Sequence, residues 1–337
     1  MKVLLTKKFA VSDIEYILQK LDDGISLVEP VTYNEEGVLE KINSADVIFG
    51  GLLSEAVVAK SSHLAFAQIP WTGVDSLNFS LFEKHQLTVC NSHSNSDVVA
   101  EHAIALVFSL AKKITYHDAA MRQGNWNRVS NNGNLVSPFS SSLVNQKITF
   151  IGYGAIAQSI HKLLSGFCPE VSAVTNSGEI KLQTEALQSD SLNVYKSADI
   201  EAAVGNANWV FVCAPLTQGT NDLVDQSVLD AMPNHSLLIN VSRGAIVNES
   251  ALYHSLLNYT IAGAAIDTWY QNPKSDQEVN FPSSQYEFQK LNNMVMSPHR
   301  AGYIDSGFPH LDDAIDNLNR AKKGLPLKHI ISTSDKY

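Results

Sequence analysis

The chain has 337 residues, 45% of them apolar, and carries a formal charge of -10 from 24 basic and 34 acidic side chains. That length predicts about two domains, with ample apolar material for two cores. The negative charge, without a Lys/Arg-rich run or aromatic-basic interleaving, argues against nucleic acid and anionic membrane as partners.

Cys90, Cys168 and Cys213 stand far apart, with no paired metal spacing, so no metal site is expected and a reduced, cytoplasmic protein is. The N-terminal apolar run, Val3 to Leu5, is too short for a signal core, and the apolar-rich stretch 103–111 is too short for a membrane span.

From residue 1 to about 95, short apolar runs alternate with helical spacing. Strands are predicted at Val3–Leu5, Ser26–Val28, Val47–Phe49, within Leu64–Ile69 and within Leu87–Cys90; helices are predicted over Ser12–Leu21 and near Glu35–Ile42. This order argues for a parallel sheet flanked by helices. Ser96–Met121 reads as one long connecting helix, with Glu101 and His102 assigned to its packing. The polar interval 125–142 reads as a loop or as an arm that touches a partner.

A second alternating block starts at Lys147. Its first strand runs into Gly152-Tyr153-Gly154-Ala155-Ile156-Ala157 and then into helical spacing at Ile156, Ile160, Leu163 and Leu164. Strand, glycine turn and helix together form the dinucleotide-binding pattern: Gly152 permits the turn, and Gly154 lets a pyrophosphate approach the positive end of the helix. Further strands are predicted at Val171–Thr175, Trp209–Cys213, Leu237–Val241, Ala262–Ile266 and Met294–Met296, and a last amphipathic helix over Asp305–Lys323.

In open parallel sheets, ligands sit beyond the C-terminal strand ends. Ser242-Arg243-Gly244 follows one such end, and a guanidinium there can hold a carboxylate with two parallel hydrogen bonds, although a surface ion pair is the bland alternative. Asp267 follows another, suited to a ligand contact or to capping the next turn. Ser297-Pro298-His299 follows a third. The Trp269-Tyr270 pair reads as packing or a pocket wall, and Cys213 as a backbone contact or a small apolar wall.

At this point the chain resembles the D-isomer-specific 2-hydroxyacid dehydrogenases over nearly its whole length. The resemblance rests on seven segments in the family's order. They are Trp71-Thr72-Gly73-Val74-Asp75, Val99-Ala100-Glu101-His102, the glycine turn, Ala214-Pro215-Leu216-Thr217-Gln218-Gly219-Thr220, Ile239 to Val247, Ala264 to Asp267, and Ser297 to Gly302.

The resemblance implies two doubly wound α/β domains of Rossmann or flavodoxin type with a cleft between them. A substrate domain would comprise 1–100 plus 299–337, and a dinucleotide domain 101–298. It implies that Arg243 orients a 2-keto acid, that His299 protonates the carbonyl oxygen as hydride arrives, and that backbone near Trp71, Thr72, Gly73 and Val74, together with Gly50 to Leu52, grips the carboxylate. The cofactor would lie along Gly152, Tyr153, Gly154, Ala155, Ile156, Thr175, Asn176, Ser177, Cys213, Ala214, Pro215, Thr220, Val241, Ser242, Arg243, Asp267, His299 and Ala301. A homodimer formed through the dinucleotide domain is expected, with 125–142 as its arm.

The chain departs from the family in two places. Asn272 stands where the family has the glutamate that pairs with the histidine; an amide aims an imidazole without stabilising its charged form. Ketone reduction is therefore expected to fade at lower pH than in relatives with the acid, unless Glu278 or Glu287 substitutes. In addition, Thr175-Asn176-Ser177 lacks the acid that holds an NAD ribose diol. With Lys181 nearby, the sequence favours NADP over NAD. The rival reading is a nucleotide-sensing protein with little or no turnover, kept open by Asn272.

Overall fold

The computed structural model describes residues 1–126, 140–182, 192–271, 273, 285–305 and 307–333. They divide into two units, Met1–Asn95 with the chain from Ile304 onward, and Ser96–Tyr303. Each unit is a parallel sheet with helices on both faces, which requires strands apolar on both sides. The sequence meets that requirement: β3, β4, β9, β10 and β11, defined below, are buried at every position.

In unit 1, β1 (Lys2–Leu5), α1 (Val11–Lys20), β2 (Ser26–Val28), α2 (Glu35–Lys41), β3 (Val47–Phe49), α3 (Glu55–Ala59), β4 (Phe66–Gln68), α4 (Phe79–His85) and β5 (Val89–Cys90) follow in turn. The sheet order is β2-β1-β3-β4-β5. Asn34 starts α2 by accepting a hydrogen bond from the Gly37 N–H, and Ser54 accepts one from Val57 to start α3.

Unit 2 opens with α5 (Ser96–Ala111) and α6 (Ile114–Arg122). The single long helix expected over Ser96–Met121 is therefore two. Lys113 takes a left-handed backbone at φ 56°, which no helix interior accommodates, and the Ala111 carbonyl is capped from outside by the Ser141 N–H at 2.9 Å. Apolar spacing continued through the break and hid it.

The rest of unit 2 is β6 (Lys147–Ile151), α7 (Ala155–Leu164), β7 (Glu170–Thr175), β8 (Leu192–Lys196), α8 (Ile200–Val204), β9 (Trp209–Val212), α9 (Gln226–Ala231), β10 (Leu237–Asn240), α10 (Glu249–Leu257), β11 (Gly263–Ile266) and β12 (Met294–Met296). The order β12-β11-β10-β9-β6-β7-β8 reverses its winding between β6 and β9, and that switch point opens a crevice at the strand ends. Alternation along the strands divides the core: Val210, Val212 and Leu238 pack on one face, while Trp209, Phe211 and Ile239 pack on the other. β8 was not expected, because Leu192-Asn193-Val194-Tyr195-Lys196 is only partly buried at the sheet edge and carries a weak apolar signal.

The chain returns to unit 1 as α11 (Pro309–Lys322), which starts later than the expected Asp305 because Pro309 suits the first helical turn. Leu311, Ala314, Ile315 and Leu318 bury the predicted face against Val3, Leu5, Ile17 and Val47. Asn317 ties this helix to β4, donating from Nδ2 to Gln68 Oε1 at 2.8 Å. No described helix is long and apolar enough to cross a membrane.

A cluster of two histidines makes unit 1 sensitive to acid. The His93 N–H donates to Asp313 Oδ2 at 2.8 Å, His329 Nε2 lies 3.3 Å from the same oxygen, and the two rings are 4.7 Å apart. Burial, then the neighbouring His329, lowers the His93 pKa from 6.5 to about 4, with Asp313 opposing. The unfolded chain therefore binds a proton that the folded unit refuses, and stability falls as pH drops from 6.5 toward 4. The limiting loss is about 3 kcal/mol. Hydrogen exchange at β5 and α11 should show protection falling across this window in the wild type, with a flatter profile in His93→Gln; identical profiles would refute the assignment.

Candidate active site

In unit 2 the chemistry-bearing residues of the sequence meet along one edge, at the C-terminal ends of β6, β9, β10, β11 and β12. Gly152 closes the β6 end at φ 85°, and a Cβ there would come within 2.5 Å of the Ala214 backbone, so both its conformation and its packing demand glycine. The Ser242 hydroxyl donates to the Ala214 carbonyl, joining the end of β9 to that of β10. Asn240 then organises the turn beyond β10, accepting from Ser242 N–H at 3.1 Å and donating to the Arg243 carbonyl at 2.9 Å. Gly244 lies so close to the Trp269 backbone that a Cβ would sit 2.5 Å from its carbonyl carbon, which fastens the Arg243 turn to the one after β11.

The strongest device on this edge is Asp267, whose side chain is wholly buried. Its Oδ1 accepts from Ser297 Oγ at 2.5 Å and from the Arg300 N–H at 3.0 Å, and its Oδ2 accepts from the Ala301 N–H at 3.0 Å. The His299 N–H donates to the Asp267 carbonyl at 2.8 Å. His102, on α5, brings Nε2 to 2.9 Å from Ser297 Oγ and 3.5 Å from Asp267 Oδ1. Since the serine proton goes to Asp267, the His102 ring must donate from Nε2. The three residues after Pro298, His299, Arg300 and Ala301, thus hang on one carboxylate or its own backbone carbonyl, and His299 is held at φ 52°. Burial pushes the Asp267 pKa up, but the hydrogen bonds from His102, Ser297, Arg300 and Ala301 outweigh it and hold it at about 2.

The glycine turn fits a dinucleotide. Gly154 precedes α7 without a side-chain cap, and nothing lies within 4 Å of where its Cβ would be, so the backbone at the start of the helix is open on that side to close approach by a ligand. Ala155 and Ile156 are half-exposed, whereas Ala157 is buried. The Tyr153 ring packs on Phe150, and its hydroxyl lies 2.6 Å from His161 Nδ1 in the core, which leaves its backbone as the part that could meet a cofactor.

Farther along, Thr175 Oγ1 donates to the Glu179 carbonyl at 3.0 Å, and Ser177 Oγ accepts from the Glu179 N–H at 3.2 Å, closing a turn over Asn176. The cation against this turn is Lys196, paired in register with Thr175 and packing its stem on Gly178. No sequence signal marks Lys196, because it closes the weakly patterned edge strand β8. The Thr220 hydroxyl donates to the Pro215 carbonyl at 2.6 Å and holds the loop after β9, while Cys213, Ala214 and Val241 present little surface. Glu287 is at the surface in a 2.6 Å ion pair with Lys290; Asn272, Glu278 and most of 125–142 lie outside the described residues.

Trp71, Thr72, Gly73 and Val74 belong to unit 1, just beyond β4. Thr72 Oγ1 donates to the Ser92 carbonyl at 2.8 Å, Asn91 Nδ2 donates to the Thr72 carbonyl at 2.8 Å, and Val74 is buried, so this loop is pinned to the strand end beside it.

These features define a dinucleotide-dependent oxidoreductase. A family profile described as D-isomer specific 2-hydroxyacid dehydrogenase, NAD binding domain, matches residues 104–301, more than half of the chain. The chain belongs to that family, whose NAD(P)-dependent dehydrogenases and reductases act on 2-hydroxy and 2-keto acids. A glycerate dehydrogenase of Methylorubrum extorquens is 25% identical over 302 residues, 88% of each chain. A glyoxylate reductase of Thermococcus litoralis is 23% identical, covering 88% of this chain and 86% of that protein. Among solved structures, an NADPH-dependent glyoxylate/hydroxypyruvate reductase of Sinorhizobium meliloti with NADP and sulfate shares the fold at TM-score 0.77 and 16% identity, covering 100% of this chain and 99% of that one.

Because Asp267 holds its turn as an anion, its contribution to stability is complete above its ordinary value of 3.8 and disappears as pH falls through about 2. Asp267→Asn should cost roughly 2–4 kcal/mol at pH 7, since an amide cannot satisfy the same donors. Urea unfolding at pH 7 measures this, and the gap between variant and wild type should narrow below about pH 3. Equal stability at pH 7 would show that the carboxylate does not hold the turn.

Proposed function

We propose that the chain reduces a small 2-keto acid to the D-2-hydroxy acid, and runs the reverse reaction, with Arg243 orienting the substrate and His299 as general acid and base. When bound, the reduced nicotinamide supplies hydride to C2 of the keto acid. The residues of this chain do the rest. The Arg243 guanidinium takes the carboxylate and polarises the carbonyl; His299 delivers the proton that the carbonyl oxygen gains, and recovers it in the other direction. The substrate carboxylate is assigned also to the backbone of Trp71, Thr72, Gly73 and Val74. The observation that carries this reading is the shared edge of unit 2, where an arginine and a histidine follow β10 and β12 beside an uncapped α7 N-terminus.

We further propose NADP as the preferred cofactor. The turn at Thr175, Asn176 and Ser177 offers hydroxyl and amide groups and no carboxylate to repel a 2′-phosphate, and Lys196 lies against it. A homodimer in the cytoplasm completes the proposal: the three cysteines are free thiols, as a reducing compartment allows, and the homodimer rests on the family alone.

Glyoxylate, hydroxypyruvate, pyruvate and bulkier 2-keto acids, each with NADH and NADPH, test the reading. At least one acid should drive oxidation at 340 nm, with kcat/KM for NADPH about tenfold or more above that for NADH, and the product should have the D configuration. Consumption of neither cofactor with any acid would favour the nucleotide sensor instead. Restoring the family's acid in Asn272→Glu should move the alkaline limit of reduction to higher pH.

A further inference from the structure

The scheme above leaves one cation at the strand ends of unit 1 without a role. Lys7 follows β1, and the sheet order places β1 next to β3 and β3 next to β4. The three strand ends therefore present Lys7, the Gly50-Gly51 pair and Trp71 side by side. The Lys7 ammonium lies 5.0 Å from the centre of the Trp71 ring and 5.8 Å from that of Phe9. Among the described residues it is held by these two aromatic faces and makes no ion pair with a carboxylate.

The indole beneath it is fixed. A Cβ on Gly51 would come within 2.7 Å of the Trp71 ring, so the indole rests directly on the Gly51 backbone, and the Trp71 carbonyl accepts from the Ser92 N–H at 3.3 Å. An ammonium on an aromatic face is shed of water on one side and keeps its other side for an anion. In a chain of charge -10, that is a local positive site working against the overall field.

We propose that Lys7 is a specificity residue that receives a second anionic group at the far end of the substrate, so that the chain selects keto diacids and their D-2-hydroxy counterparts over monoacids of the same length. The inference rests on the assignment of the substrate carboxylate to the Trp71–Val74 backbone. Neighbouring strands are about 4.8 Å apart, so β1 stands roughly 10 Å across the sheet from β4. Even with the lysine reaching back over the indole, the ammonium is separated from that backbone by the ring itself, more than one carboxylate spans. A second acidic group two or three bonds beyond the keto carbon bridges the interval.

The test compares D-malate with D-2-hydroxybutyrate, both four carbons long and differing by the second carboxylate. Each is titrated calorimetrically into the full chain saturated with NADPH, a combination that cannot transfer hydride. Wild type should bind D-malate roughly tenfold more tightly than D-2-hydroxybutyrate, the effect of one partly shielded ion pair. Lys7→Met should remove most of that advantage while leaving D-2-hydroxybutyrate within about twofold, and Lys7→Arg should retain it.

Equal weakening of both acids by Lys7→Met would overturn the inference, because the lysine would then serve the shared carboxylate or the loop's fold. So would no change in either, or failure of wild type to bind D-malate. The two readings fail separately. Tight, Lys7-dependent D-malate binding in a protein that oxidises NADPH with no keto acid would sink the reductase reading alone. Turnover of monoacids unaffected by Lys7→Met, without a diacid preference, would sink the Lys7 inference alone.

Discussion

Unit 2 depends on the burial of one negative charge. A carboxylate with no solvent exposure is a heavy cost unless every oxygen is bonded, and Asp267 meets that condition with a serine hydroxyl, a histidine ring and two backbone N–H groups. The interactions that stabilise the charge also dictate the path of the chain after β12. His299 is placed by that path at φ 52°, a left-handed conformation that costs a residue with a side chain roughly 1 kcal/mol and persists because its neighbours on both sides are already committed. The backbone at His299 is thus set by bonds internal to the unit.

The two units share one architecture and carry different residues at their strand ends. Both are parallel sheets whose strand ends, freed from helical cover, collect the polar residues. In unit 2 the ends are knitted together by Ser242, Asn240, Gly244 and Asp267, giving a continuous edge suited to a long ligand with separated charges. In unit 1 the strand ends carry a backbone loop pinned by Asn91 and Thr72, and a lysine stacked on Trp71. The surrounding cores need only be apolar and well packed; the proposed chemistry draws on the few residues after each strand.

Much of this was legible in the sequence, for identifiable reasons. Strands buried on both faces, such as Trp209–Val212 and Leu237–Asn240, are nearly uninterrupted apolar runs, and the residues that follow them are those to which we assign the proposed site. The face of α11 was readable from its spacing. β8 was not, because an edge strand needs little apolar content, and with it went Lys196. The break at Lys113 was hidden because a left-handed residue costs little beside the packing of the helices on either side, and nothing in the residue type announces it. Asp267 and His102 were visible as motif members, but their partnership through Ser297 joins segments more than 150 residues apart in the chain, and only the fold brings them together. For Tyr153 the motif position did not show that the ring belongs to the core, where its hydroxyl meets His161.

The central claim is that a turn clamped by Asp267 delivers His299 to the same carbonyl that Arg243 orients. A crystal structure of the chain with NADP⁺ and oxamate, a stable mimic of a small 2-keto acid, tests it most directly. The account predicts a His299 ring nitrogen about 3 Å from the oxamate carbonyl oxygen, the Arg243 guanidinium hydrogen-bonded to oxamate, and the Asp267 bonds to Ser297, Arg300 and Ala301 intact. An imidazole turned away from the bound oxamate, or a turn that abandons Asp267 to reach it, would contradict the account.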